Sequence, residues 1–408
     1  MTDNFATVDE AVPFFPAARV DPFSAPPRYT ELRAAGGLHR VTIWDGSQHW
    51  LATRYSDVRA ALTNPAMSPD VRRAGFPLIY PNQIAMEGGV WFRLDDPEHA
   101  RLRRMLSHEF SLKHTRTLRK TLLELVDELI DDMLRSGGPA DFVQAFAHPL
   151  PLRAICAILG VPRADHTLIE RNAYALSDLD MTAEQQQRAF DDLVAYNRSL
   201  LERRQHHPAD DMTSRLVHEH SGDGGHSLNE LAVLMFFLIA AGYVSTANML
   251  ALGALALLLD DSQRERLREQ PELAAGTVEE MLRFWSVIST DPRRIALQDT
   301  QLGGQPVRAG EGVIVSLIAA NHDPDAFGTD AEHVDITRTS RQHLALGFGS
   351  HLCLGQNLAR AELEIAWSRL LQRIPDLRLG VAPEDVEFMD HAIAFGVKSL
   401  PVDWDGAR

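Results

Sequence analysis

Apolar residues recur at helical spacing through most of the chain, and the pattern predicts a mainly α protein. Over Thr115–Arg135 they fall at Leu118, Leu122, Leu125 and Leu129, and the segment stops at Gly137-Gly138. Leu152–Leu159 reads as a short helix closed by Gly160 and Pro162. Ala183–Arg204 reads as a longer amphipathic helix before the polar loop Gln205–Asp211. Ser227 and Glu230 form a capping box that opens a long central helix, because each side chain can satisfy a free backbone donor of the first turn. Shorter helices are expected at Asp261–Glu269 and Thr277–Trp285, and a last one over Asn357–Arg373. A minor β part is expected at Ile43–Thr53 and after residue 290. There Gly303-Gly304 and Ala309-Gly310 divide Arg294–Leu317 into small hairpins. Alternating βαβ texture is absent, which argues against a doubly wound dinucleotide-binding fold.

The central segment tests the fold class. Leu231–Leu259 holds no charged residue and is long enough to cross a bilayer. It carries Ser245, Thr246 and Asn248 near its middle and lacks a basic flank. A helix apolar all round is also what the centre of a large soluble protein demands, and that is the reading adopted, with no membrane. No Pro-rich or Ser/Gly-rich linker, repeat or low-complexity tract divides the chain, so residues 1–408 are expected to form a single domain. The N-terminus has acidic residues where a signal peptide needs basic ones, and Pro13 and Pro16 break its apolar stretch. The expected location is cytoplasmic. A net charge of −16 with dispersed Lys and Arg argues against nucleic acid as a partner.

Chemistry concentrates around one of the two cysteines. Cys156 lies in an apolar stretch and reads as a small buried hydrophobe. Cys353 lies in Leu346-Gly-Phe-Gly-Ser-His-Leu-Cys-Leu-Gly355, followed by Gln-Asn-Leu-Ala-Arg-Ala-Glu362. Its glycines allow a tight loop whose amides, with the helix start after Gly355, are expected to lower the thiol pKa and stabilise a thiolate. Such a thiolate suits a haem iron, onto which it pushes electron density. A phosphate loop is excluded: no strand precedes the glycines and no Lys-Ser/Thr follows. His206-His207 and His218-Glu-His220 read as solvated residues rather than metal ligands.

The run from Leu346 to Glu362 resembles the haem-binding signature of soluble bacterial cytochromes P450. Other landmarks follow in the family's order. Glu280-Met-Leu-Arg283 matches its Glu-x-x-Arg pair, and Ala241-Gly-Tyr-Val-Ser-Thr246 its oxygen-binding notch. Asp96-Pro-Glu-His99-Ala-Arg-Leu-Arg103 and Arg294 resemble its propionate-binding segments. Ser68–Pro77 looks like the actinobacterial branch that oxidises macrolides and drugs. The resemblance implies the cytochrome P450 fold and haem b, with Cys353 as the axial ligand of the metal. His99, Arg103, Arg294, His351 and Gly355 would complete the cofactor site, and buried propionates do require such cationic or hydrogen-bonding partners.

The chain departs from the family pattern in three respects. Leu346 stands where Phe is usual. His333 stands where an Arg would complete a triad with Glu280 and Arg283. Val244 and Ser245 replace an acid and a Thr that relay protons, and Val244 can transfer none.

The resemblance implies a monooxygenase that hydroxylates or couples a mostly apolar small molecule in secondary metabolism. Ser245 and Thr246 are its candidate catalytic hydroxyls. Ala241, Val244, Val287 and Ile393 are its candidate substrate contacts, within walls at Pro77–Val90, Tyr174–Leu179, Ala240–Ser245, Val287–Asp291 and His391–Phe395. Electrons would come from a ferredoxin with its ferredoxin reductase, through a basic patch including Arg103 or Arg104. Two other functions fit the sequence: a nitric oxide reductase of the same fold fed directly by a nicotinamide cofactor, and a non-catalytic haem carrier or gas sensor.

Overall fold

The computed structural model describes residues 12–80, 83, 87, 90–177, 181–221, 225–339, 342–389 and 394–405. It is mainly helical, and each helix expected from the sequence is present: Leu112–Ser136, Pro149–Leu159, Ala183–His206, Leu228–Leu259, Asp261–Glu269, Ala274–Trp285 and Gln356–Arg373. Most run one to three residues beyond the apolar pattern, because terminal turns are held by caps rather than by periodicity. Ser111 accepts from the His114 N–H at the start of Leu112–Ser136, for example.

The capping box at Ser227 and Glu230 forms in both directions and opens the 32-residue helix Leu228–Leu259, which at 1.5 Å per residue extends about 48 Å. It is enclosed rather than membrane-spanning. The helices Pro149–Leu159, Ala183–His206 and Gln356–Arg373 pack on it, and residues from Leu231 to Leu258 belong to one core. The contact with Gln356–Arg373 is close. A Cβ added to Gly253 would lie 2.0 Å from the Trp367 ring, and the Trp367 indole donates to the Leu250 carbonyl at 3.2 Å. This packing seats the helix that follows the Cys353 loop against the centre of the protein.

The β part lies to one side. Strands His39–Thr42, Gln48–Ala52, Gly312–Val315, Arg293–Ala296 and Met67–Ser68 form a sheet in that order. The pair Gln48–Ala52 and Gly312–Val315 is parallel, with Trp50 opposite Val313. The expected strand Ile43–Thr53 is a hairpin shifted forward, with Ile43 at its turn. Gly303 and Gly304, both at positive φ, turn the small hairpin between Thr300–Leu302 and Gln305–Val307.

Candidate active site

The cysteine loop is shaped by its glycines. Gly347 and Gly349 both have φ of 76°, a left-handed conformation that costs other residues a Cβ clash. They fold the loop so that the Cys353 N–H donates to the Leu346 carbonyl at 2.9 Å. Leu346 packs half-buried against the core. The Gly355 amide and the Arg103 and Arg360 guanidinium groups favour a thiolate at Cys353, as expected. Burial outweighs them, however, and the net direction of the thiol pKa is upward. The expectation of a lowered pKa is therefore corrected: in a desolvated loop, amides and distant cations do not offset the lost hydration of the sulfur. Cys156 is inert by comparison, its thiol pushed up to about 12 by burial.

Cations and an imidazole from two other stretches of chain approach this loop and its own His351. His99 is buried on the helix Glu98–Ser107, its ring 3.9 Å from that of His351 and stacked on it. Asp96 lies 3.2 Å from His99 Nδ1, and His99 Nε2 is buried with no partner. Nδ1 of His351 is equally orphaned, and burial pushes that imidazole down to about 3. Arg294 is 4% exposed, donates only to the carbonyl of Arg293, and has no carboxylate partner among the described residues. Burial lowers its pKa to about 10. Arg103 is half-buried, with its charge felt at Cys353, and also lacks a carboxylate. Two orphaned imidazole nitrogens and two desolvated guanidinium groups form a costly cluster unless anions meet them. A haem supplies two such anions, so the residues present fit it.

The central helix is opened near its middle. Ala241 is exposed, Gly242, Val244 and Ser245 are half-buried, and the neighbouring turns are closed. The Ser245 hydroxyl donates to the Ala241 carbonyl at 3.2 Å, which leaves its lone pairs free to accept. Thr246 is buried at 7% exposure. Val287 is buried and its carbonyl accepts from the Phe395 N–H at 2.7 Å, so two expected wall segments touch. Ile393 and Leu179 lie outside the described residues, as does most of 81–89.

One element of that wall is less apolar than the sequence suggested. Asp291 is gripped by Arg93 at 2.9 and 2.8 Å and by Arg293 at 3.1 and 3.0 Å. Glu87 lies 2.7 Å from Arg93, and Arg293 also binds the Pro77 carbonyl and Gln83. The scattered positions of these charges gave no local signal of a network.

The triad was placed on the wrong residue. Arg283 meets Glu280 through two bonds of 2.8 Å, both side chains fully buried. The third member is Arg338, whose Nε lies 3.2 Å from Glu280 Oε1. His333 is exposed and contributes only its carbonyl, to Arg283 at 3.0 Å and Arg338 at 3.3 Å. The local signal was Asp335-Ile-Thr-Arg338. Asp335 caps Thr337 and donates its N–H to Glu280 at 2.9 Å, turning Arg338 inward.

Residues 175–401 match the family model described as Cytochrome P450. The chain is 41% identical to cytochrome P450-SU2 of Streptomyces griseolus, over 95% of this chain and 96% of that one. It is 39% identical to the mycinamicin IV hydroxylase/epoxidase of Micromonospora griseorubida, covering 92% and 95%. The crystal structure of GfsF, a cytochrome P450 from Streptomyces halstedii, superposes with a TM-score of 0.93 at 38% identity, covering 96% of this chain and all of that one.

The corrected triad makes a testable distinction. Arg338→Ala should cost about 2–4 kcal/mol in urea unfolding, because Glu280 and three carbonyls lose a buried charged donor. His333→Ala should stay within about 0.5 kcal/mol, since only its backbone takes part. The reverse ranking would restore the original placement.

Proposed function

The chain belongs to the cytochrome P450 family, whose members are haem-thiolate monooxygenases, and from that premise we propose which of its residues carry the reaction. Cys353 would supply the thiolate ligand of a haem b. His99, Arg103, Arg294 and His351 would hold its propionates, and Gly355 starts the helix that follows the cysteine loop. The observation that carries this reading is the set of orphaned imidazole nitrogens and desolvated guanidinium groups without a carboxylate partner among the described residues beside the cysteine loop. When bound, the haem iron supplies dioxygen activation and insertion of one oxygen atom into substrate.

The protein's own part is to position, enclose and deliver protons. Ala241 and Val244 offer an apolar surface next to Ser245, and Val287 closes the side held by Phe395. The substrate is a mostly apolar small molecule of secondary metabolism, hydroxylated, epoxidised or coupled. A relative named for hydroxylation and epoxidation of mycinamicin IV supports that class. Val244 holds no proton, so the relay runs through the Ser245 hydroxyl, ordered water and a polar group of the substrate. No observation favours the nitric oxide or carrier readings. The reading takes residues 1–408 as one domain working in the cytoplasm, supported by the enclosed central helix.

The protein needs an electron donor, and a ferredoxin with its reductase is proposed. Arg101 and Arg104 line a surface groove of about 560 Å³, with Glu219 also in its wall, and would give an acidic partner a local basic target. Arg104 is exposed there, whereas Arg103 is turned toward Cys353 and serves the cofactor instead.

Reduced protein with carbon monoxide should show the strongly red-shifted Soret band of a thiolate haem. Cys353→Ser should abolish that band and Cys156→Ser should keep it. The opposite pattern sinks the assignment.

Ser245→Ala should lower product formed per NADH several-fold with the native substrate and release peroxide instead, with Thr246→Ala close to wild type. Loss confined to Thr246→Ala would move the relay to the other hydroxyl.

Reduction by ferredoxin should slow as salt rises, and Arg104→Glu should reduce the low-salt rate roughly tenfold. A salt-independent rate, or efficient reduction by NADH alone, overturns the docking proposal.

A further inference from the structure

We propose that His108, Glu109 and His114 form a binding site for a divalent transition-metal ion of the zinc type, separate in all its ligands from the haem site. Among the described residues, these three form the one group of His, Cys, Asp and Glu whose ligand atoms all lie within 4.8 Å of one another. Local structure brings them together. His108 caps the end of the helix Glu98–Ser107, and Ser111 caps the start of Leu112–Ser136, fixing His114 in its first turn. The short link turns both imidazoles onto one carboxylate.

The separations are long for charge-assisted hydrogen bonds and of the size that neighbouring metal ligands keep. His108 Nδ1 is 3.3 Å from Glu109 Oε1, and His114 Nε2 is 3.5 Å from Oε2. Charge-assisted bonds between imidazole and carboxylate settle at about 2.7–2.9 Å. Ligand atoms around a tetrahedral zinc, with bonds of about 2.0–2.2 Å, stand roughly 3.3–3.6 Å apart. The two measured separations are of that size, each to a different oxygen of Glu109, and all the ligand atoms lie within 4.8 Å of one another. Two nitrogens and one oxygen are a donor set that zinc takes in three-residue sites, with the fourth position left to water. His108 has 72% of its side chain exposed, so an ion can enter and a water can complete the shell.

Electrostatics favours a cation as well. Arg215 donates to both Glu109 oxygens, at 2.5 and 2.8 Å, and each oxygen keeps a further lone pair. Arg215 is also held by Asp210 at 2.8 Å. Two carboxylates, those of Glu109 and Asp210, thus face the one guanidinium of Arg215. Arg215 holds the carboxylate through both oxygens and so fixes its orientation, as outer partners of metal sites do.

The test uses the haem-loaded, full-length protein stripped of loose metal by a chelator and titrated calorimetrically with Zn²⁺. One equivalent should bind. His108→Ala and His114→Ala should each weaken that binding about tenfold or more. A His206→Ala/His207→Ala double variant, altered in another exposed pair, should bind as wild type does. Glu109 is left intact, because its loss would strand Arg215. Absence of stoichiometric uptake, or unchanged affinity in either histidine variant, overturns the proposal.

Discussion

A helix of 32 residues with no polar face has to be enclosed by protein on every side, and the rest of this fold is arranged to do so. Burying such a surface requires partners all round its axis, and the helices Pro149–Leu159, Ala183–His206 and Gln356–Arg373 provide them. Close approach has local requirements: Gly253 is needed because the Trp367 ring occupies the space of a Cβ. Midway along it, the exposed Ala241 and half-buried Val244 and Ser245 mark where the enclosure is opened. The proposed reactive face lies at this interruption of the burial.

A chain of buried polar contacts sets the position of the cysteine loop. The Glu280–Arg283–Arg338 cluster would be costly alone, since buried charges repay desolvation only when their hydrogen bonds are complete. Here Arg283 donates to the carbonyls of Asn321 and Ala331 at 2.8 Å as well as to Glu280. The Asn321 side chain in turn accepts from the Leu344 N–H at 2.7 Å, just before the loop, and donates to the Ser286 hydroxyl at 2.7 Å. Ser286 sits at φ 41°, ending its helix and releasing the wall segment that contains Val287. One amide therefore ties the ion cluster to both the cysteine loop and the substrate wall. This is the physical reason a cluster remote from the chemistry bears on it.

Periodicity made the helices legible because apolar spacing is local, and Ser227 with Glu230 named a terminus because a capping box is read across four residues. The cysteine loop was legible for a similar reason: its glycines and Cys353 lie within ten residues. What depended on distant pairing was not legible. The parallel contact between Gln48–Ala52 and Gly312–Val315 joins segments far apart in sequence. The triad failed at His333 because counting along the chain assigned the position, whereas Asp335 turning Arg338 inward decides it. The thiol failed in sign because donors can be read from glycines and arginines, but desolvation is a property of the assembled fold.

The same limit applies to the substrate wall, and it changes how selectivity should be understood. From residue types alone the wall is apolar, and an apolar wall discriminates weakly between ligands of similar size. In the fold, Asp291 is held at the end of that wall by Arg93 and Arg293, and Arg293 reaches the Pro77 carbonyl and Gln83. Each charge in this set is satisfied by protein, so it offers a ligand little free hydrogen-bonding capacity. Its effect is instead mechanical: it fixes the segment around Pro77 and Gln83 relative to the strand Arg293–Ala296, which also carries Arg294. Pocket shape on that side and the cationic cofactor site are thereby held by neighbouring residues of one strand, so a substitution there that reshapes the wall also shifts Arg294.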